Sequence, residues 1–100
     1  MKFFKKRASI ENYKEFKKVF SSIKTLSKQN TMQELDMAAG FMLGITAEKR
    51  ISRKISEEQK TALEEMIESV WKERRQELEY ADELEEQLAE DIEEFFIDQL

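Results

Sequence analysis

After its first half the chain contains neither of the two residues that most readily break a helix. Glycine occurs only at positions 40 and 44, and proline does not occur at all. A sheet protein of this length needs several tight turns, and tight turns draw on Gly, Pro or Asn-Gly pairs. Glu, Lys, Ala, Leu, Gln and Met, all good helix formers, dominate instead. The expected fold class is therefore all-α. It would be a small helical bundle forming one domain over residues 1–100, with a long, straight or bent, acidic C-terminal helix. Leu, Ile, Val and Phe make up 25 residues, above the level at which disorder is the default. If compact, the chain would have a radius of gyration of about 13 Å.

Apolar spacing divides the chain. Ser9 is a candidate N-cap. Ile10, Tyr13, Phe16, Val19, Phe20, Ile23 and Leu26 follow at three- and four-residue steps, with Lys14, Lys17, Lys18 and Lys24 off the stripe. This predicts a basic amphipathic helix over 9–27, then a polar connection at Ser27 to Asn30. Thr31 with Glu34 is a capping-box pattern opening a helix over 31–44. Met32, Leu35, Ala38, Ala39, Met42 and Leu43 make that helix apolar nearly all round, which predicts a central, buried position. Gly40 is expected at a close helix contact and Gly44 at a C-terminal cap. A short basic helix over 47–55, capped by Thr46, would come next.

Ser56 with Gln59 is a second capping box, and it opens the longest signal. Leu63, Met66, Ile67, Val70, Trp71, Leu78, Ala81, Leu84, Leu88, Ile92, Phe95 and Phe96 recur at helical spacing. A helix over 57–98 would be about 63 Å long, more than a compact domain of this size can span. Either it protrudes and finds a partner, which on a purely structural reading is a second copy in a homodimer with this helix as its seam, or it breaks near its one apolar gap, Lys72 to Glu77.

Charge is divided as sharply as hydropathy. Residues 1–28 carry net +7, residues 29–76 net −1, and residues 77–100 carry eleven acidic and no basic side chains. Polarity of this kind bears on partners rather than on fold. Within the acidic segment Glu79–Glu83, Asp82–Glu86, Glu86–Glu90, Glu90–Glu94 and Glu94–Asp98 are like-charge pairs four residues apart. They cost a helix on the order of 1–2.5 kcal/mol together. Two sources could offset that repulsion. The chain's own lysine-rich first helix could lie against the acidic one, within a monomer or across a homodimer. Alternatively, the offset comes from a basic partner. Eleven charges over about 36 Å of helix is one per about 3.3 Å, close to the ~3.4 Å phosphate spacing of one nucleic-acid strand. On that reading Glu79, Asp82, Glu83, Glu86, Glu90, Asp91 and Glu94 bind a basic, nucleic-acid-binding protein, and the chain acts as a DNA-mimicking inhibitor or regulator.

Other patterns point elsewhere. From Thr31 to Ile55 the chain resembles the first half of a helix-turn-helix motif. Gly40, Gly44 and Ile45 fall at its small, turn and apolar positions, although Arg50 stands where a buried apolar residue belongs. This resemblance implies DNA contacts from Lys49, Arg50, Arg53 and Lys54. Phe3, Phe4, Lys5, Lys6 and Arg7 have the composition of a membrane-surface helix, but a Phe-rich stripe is more ordinarily core, so no membrane partner is expected. Ile92, Phe95 and Phe96 have the spacing of the apolar part of a sliding-clamp-binding peptide, with Ala89 where that peptide carries glutamine. The bundle reading has the two phenylalanines close the core instead. Trp71 and Arg74, on adjoining turns, suit a cation–π contact or an interface anchor.

Chemistry is mostly excluded. Histidine and cysteine are absent. A zinc site loses its best ligands, a disulfide is impossible, and so are Ser-His-Asp and Cys-His centres. Carboxylates are abundant but none is singled out as an acid or base. The expectation is a non-enzymatic protein with no cofactor and no metal. No apolar run approaches the ~20 residues that span a bilayer. Met1 to Ile10 lacks the apolar stretch of a secretory signal, which makes a cytoplasmic location the expectation.

Overall fold

The computed structural model describes residues 2–99, and the side chains of residues 12–98. Three helices account for nearly all of it: α1 (Lys2–Ile23), which runs into a 3-10 turn (Lys24–Lys28), α2 (Met32–Ile51) and α3 (Glu57–Gln99). The all-α expectation holds. Of the two options for the long helix it is the protruding one that is found: the radius of gyration is 20.9 Å and the body measures 83 × 18 × 15 Å.

The core is a short three-helix bundle. Val19, Ile23 and Leu26 from the first segment meet Leu35, Ala39 and Met42 of α2, and Ile55, Leu63 and Ile67 close the third side. Polar contacts fix the helix directions. Asp36, near the start of α2, accepts from Trp71 Nε1 at 2.7 Å, while Arg50, near its end, donates to Glu57 at 2.9 Å. Thus α2 runs antiparallel to α3. Lys49 pairs with Glu15, so α1 also runs antiparallel to α2 and hence parallel to α3.

Both capping signals in the sequence are realised. Thr31 is extended (φ −128°) and its side chain accepts from Glu34 N. Ser56 and Gln59 close both halves of a capping box, at 2.9 and 3.1 Å. Other boundaries differ. The first helix begins at Lys2, not at Ser9. The side chains of Ile10 and of Phe3 to Arg7 lie outside the described residues. Within α1, Val19 and Ile23 are buried while Tyr13 and Phe20 stay half exposed.

The largest correction concerns residues 31–55. The expected pair of helices, 31–44 and 47–55, is one helix, α2. Gly44 sits in its interior with helical φ, because a glycine inside a run of good helix formers costs only about 1 kcal/mol. Thr46 caps nothing; it is fully buried and donates back to the Met42 carbonyl at 2.8 Å. The helix ends instead at Ile51 and is closed by Arg53, whose φ of 57° is left-handed. Arg53 N donates to Arg50 O and Lys54 N to Lys49 O, the paired bonds of a Schellman cap. With no turn at Gly44, the helix-turn-helix reading fails. Nor is α2 buried all round: Met37 and Phe41 face solvent, and a Cβ built on Gly40 or Gly44 meets nothing within 4 Å. Gly40 is therefore not at a close contact.

The long helix is continuous through Lys72 to Glu77. The apolar gap there is filled by Arg74, which lies on the bundle-facing side, donates to Gln29 O at 2.9 Å and pairs with Glu77. Lys72–Glu68 and Arg75–Glu79 add pairs four residues apart, so the segment has local support and no residue that forces a break.

Candidate partner-binding helix

Leu78 is the last residue of α3 that packs against the core. Beyond it α1, the 3-10 turn and α2 have no residue left to offer, and every residue from 79 to 98 is exposed. About 31 Å of helix thus projects from the bundle as a single arm.

The arm has two faces. At about 100° per residue, Glu79, Asp82, Glu83, Glu86, Glu90, Glu93 and Glu94 fall in one sector about 120° wide. Ala81, Leu84, Leu88, Ile92 and Phe95 fall in a sector about 80° wide on the other side. This second stripe continues, in register, the one that Leu63, Ile67 and Val70 turn into the core. The acidic sector continues the outer face of the bundle half.

Six of the seven carboxylates expected from sequence as a binding surface therefore share a face: Glu79, Asp82, Glu83, Glu86, Glu90 and Glu94. Asp91 does not. It lies at the border of the apolar stripe, where it accepts from Gln87 at 3.2 Å. Glu93 belongs with the six, and wheel geometry alone finds it. The seven carboxylates span about 22 Å, one per about 3.8 Å, still near the ~3.4 Å phosphate spacing.

Neutralisation by the chain's own lysines fails at this face. Among the described residues, Glu77 pairs with Arg74 and Glu79 with Arg75, both at the root of the arm. No ion pair among the described residues involves any carboxylate from Asp82 onward. The reason is geometric. The end of α1 sits beside Met66, Ser69 and Val70, and because α1 runs parallel to α3 its lysines lie towards the opposite pole.

The basic candidates divide as well. Lys49 is held by Glu15 and Arg50 by Glu57. Each cation, through its hydrogen bond first, holds the partner carboxyl below the usual glutamate value. Arg53 and Lys54 remain exposed, bordering a shallow depression with Lys14 and Lys18. Trp71 is partly buried and bonded to Asp36. The cation over its ring is Arg75, 5.4 Å from the centroid, rather than Arg74. Phe95 and Phe96 close no core: they are 61% and 62% exposed and pack edge to face on each other. Among the described residues no group of acidic side chains is arranged to hold a metal ion, and no helix is long and apolar enough to cross a membrane. No family model, curated protein or solved structure matches the chain.

Proposed function

We propose that the chain is a non-enzymatic regulator or inhibitor. It presents the acidic face of its arm to the nucleic-acid-binding surface of a basic partner protein and occupies it in place of nucleic acid. The observation that carries this reading is the row of carboxylates from Asp82 to Glu94, on a projecting helix and, among the described residues, without a lysine or arginine paired to them. Their mutual repulsion costs the isolated arm stability. A positively charged groove would turn that cost into attraction, and steering by so dense a charge would speed the encounter. The reading calls for no cofactor and no metal.

The test is capture from a lysate of the source organism on the immobilised chain, with elution by added duplex DNA. Proteins retained by the native chain should be released by DNA. They should not be retained by a variant carrying Glu83→Lys, Glu86→Lys, Glu90→Lys and Glu94→Lys, whose helicity circular dichroism confirms. Retention that survives these reversals contradicts the proposal.

A second reading rests on one observation at the opposite pole, where Lys14, Lys18, Arg53 and Lys54 border one depression that Glu15 alone of the acidic residues also lines. Direct contact with nucleic-acid phosphates there predicts a low-salt gel shift that weakens steeply as salt rises. The absence of a retarded band removes it.

A further inference from the structure

The arm's other face has no use in phosphate mimicry. Leu84, Leu88, Ile92 and Phe95 are 46%, 59%, 54% and 61% exposed. Scattered exposed apolar residues need no explanation. These, however, lie in register with Ala81 along about 21 Å of helix, as the direct extension of a stripe that is buried at Leu63 and Ile67 and partly covered as far as Leu78. From Ala81 to Phe95 they recur every 3.5 residues on average, the period at which two helices stay in contact along their length.

Charge decides what can cover this seam. Every side chain bordering it on the arm that is charged at neutral pH is acidic: Glu85, Asp91 and Asp98. A second copy packed seam to seam, in either direction, would bring two such borders together. Helix axes would then be about 8–10 Å apart, a distance comparable to the Debye length at physiological salt, with both acidic outer faces close behind. A nucleic acid or an anionic bilayer meets the same repulsion. Within the molecule, Phe16, Val19 and Ile23 of α1 are already engaged by the bundle half. The occupant that satisfies both seam and border is a helix with its own apolar stripe flanked by Lys and Arg.

We infer that the seam formed by Ala81, Leu84, Leu88, Ile92 and Phe95 is a docking site for a basic amphipathic helix of a partner protein, about fifteen residues long. It uses the same arm as the acidic-face reading but the opposite side of it, so the two stand or fall separately. Apolar contact would supply affinity and the acidic border would select against neutral or acidic helices.

The experiment uses the full chain and two labelled fifteen-residue peptides of identical Leu/Lys composition. One has leucines on a single helical face; in the other they are scattered around the helix. Fluorescence anisotropy should show the first binding at least tenfold more tightly than the second. Leu84→Gln, Leu88→Gln and Ile92→Gln together, which keep helix propensity and charge, should remove that preference. Glu83→Lys with Glu86→Lys, on the far face, should weaken both peptides and leave the preference in place. The inference is overturned if neither peptide binds, if the two bind equally, or if the triple glutamine variant keeps the preference. It is also overturned if the native chain sediments as a dimer that the triple variant does not form, since the seam would then belong to a second copy. Loss of lysate capture on the far-face reversals bears only on the acidic-face reading, so failure of one does not imply failure of the other.

Discussion

The two halves of α3 are built from the same materials and meet different fates. Both carry an apolar stripe at the same azimuth. Over residues 57–78 that stripe is covered, with Leu63 and Ile67 fully buried, and the outer face mixes signs, with Lys60–Glu64 and Lys72–Glu68 paired four residues apart. Over 79–98 the stripe is bare and the charge is of one sign. The helix itself does not distinguish the halves. The bundle half is secured by tertiary packing. The arm is left with propensity alone, set against its own repulsion, and such a segment gains most from a partner.

That contrast can be broken first by truncating one leucine in each half. Leu63→Ala should cost about 2–5 kcal/mol of unfolding free energy in denaturant titrations. Leu88→Ala should stay within about 0.5 kcal/mol. A comparable loss at Leu88 would mean that the arm's stripe is covered after all.

The two glycines of α2 offer a second comparison, because, like the arm, they have open space beside them. Gly40→Ala and Gly44→Ala each replace a helix-interior glycine whose added Cβ meets only open space. Together they should stabilise the fold by about 2 kcal/mol, read as a raised Tm. Destabilisation would place a close neighbour on that face.

Within the arm, Glu90→Lys converts two like-charge pairs, Glu86–Glu90 and Glu90–Glu94, into opposite ones. It should stabilise the arm helix by about 1 kcal/mol. Hydrogen exchange should slow between residues 82 and 98, while the melting of the bundle stays put. An equal shift in both would mean that the halves unfold as one unit.

The smallest effect separates the halves by pH. Glu15 and Glu57, in the bundle, have carboxyl pKa values lowered in the folded state by Lys49 and Arg50. A lowered folded value contributes stability that is complete above the unfolded value of about 4.5 and is lost as pH falls through the folded one. The bundle's Tm should therefore decline below about pH 4.5, and Glu15→Gln with Glu57→Gln should flatten that decline. An unchanged slope in the double variant would show that these pairs contribute nothing.

The legibility of the sequence was uneven for identifiable reasons. The two caps at Thr31 and Ser56 were readable because each uses a side chain that must lie three residues from its partner. The Schellman cap at Arg53 was not, because its bonds run between backbone groups and the left-handed position is filled by arginine, not glycine. Gly44 drew the expected helix end seven residues too early, because glycine is the usual residue at such a cap. Arg74 hid the continuity of α3: it looks like a gap in an apolar pattern, and its target is a backbone carbonyl remote in sequence. For the arm, composition indicated the charge and spacing indicated the helix. Which carboxylates share a face depended on taking azimuth into account, which removes Asp91 and adds Glu93. That α1 would run parallel to α3, carrying its lysines away from the acidic arm, depends on how the bundle is assembled and leaves no local mark in the sequence.

The most direct test of the account is small-angle X-ray scattering from the dilute monomer at physiological salt. An arm that stands clear of the chain's own lysines predicts a radius of gyration near the 20.9 Å of the Cα trace and a longest dimension near 83 Å. A value close to the ~13 Å of a compact chain of this length would mean that the acidic helix folds back onto the basic one, and would contradict the account.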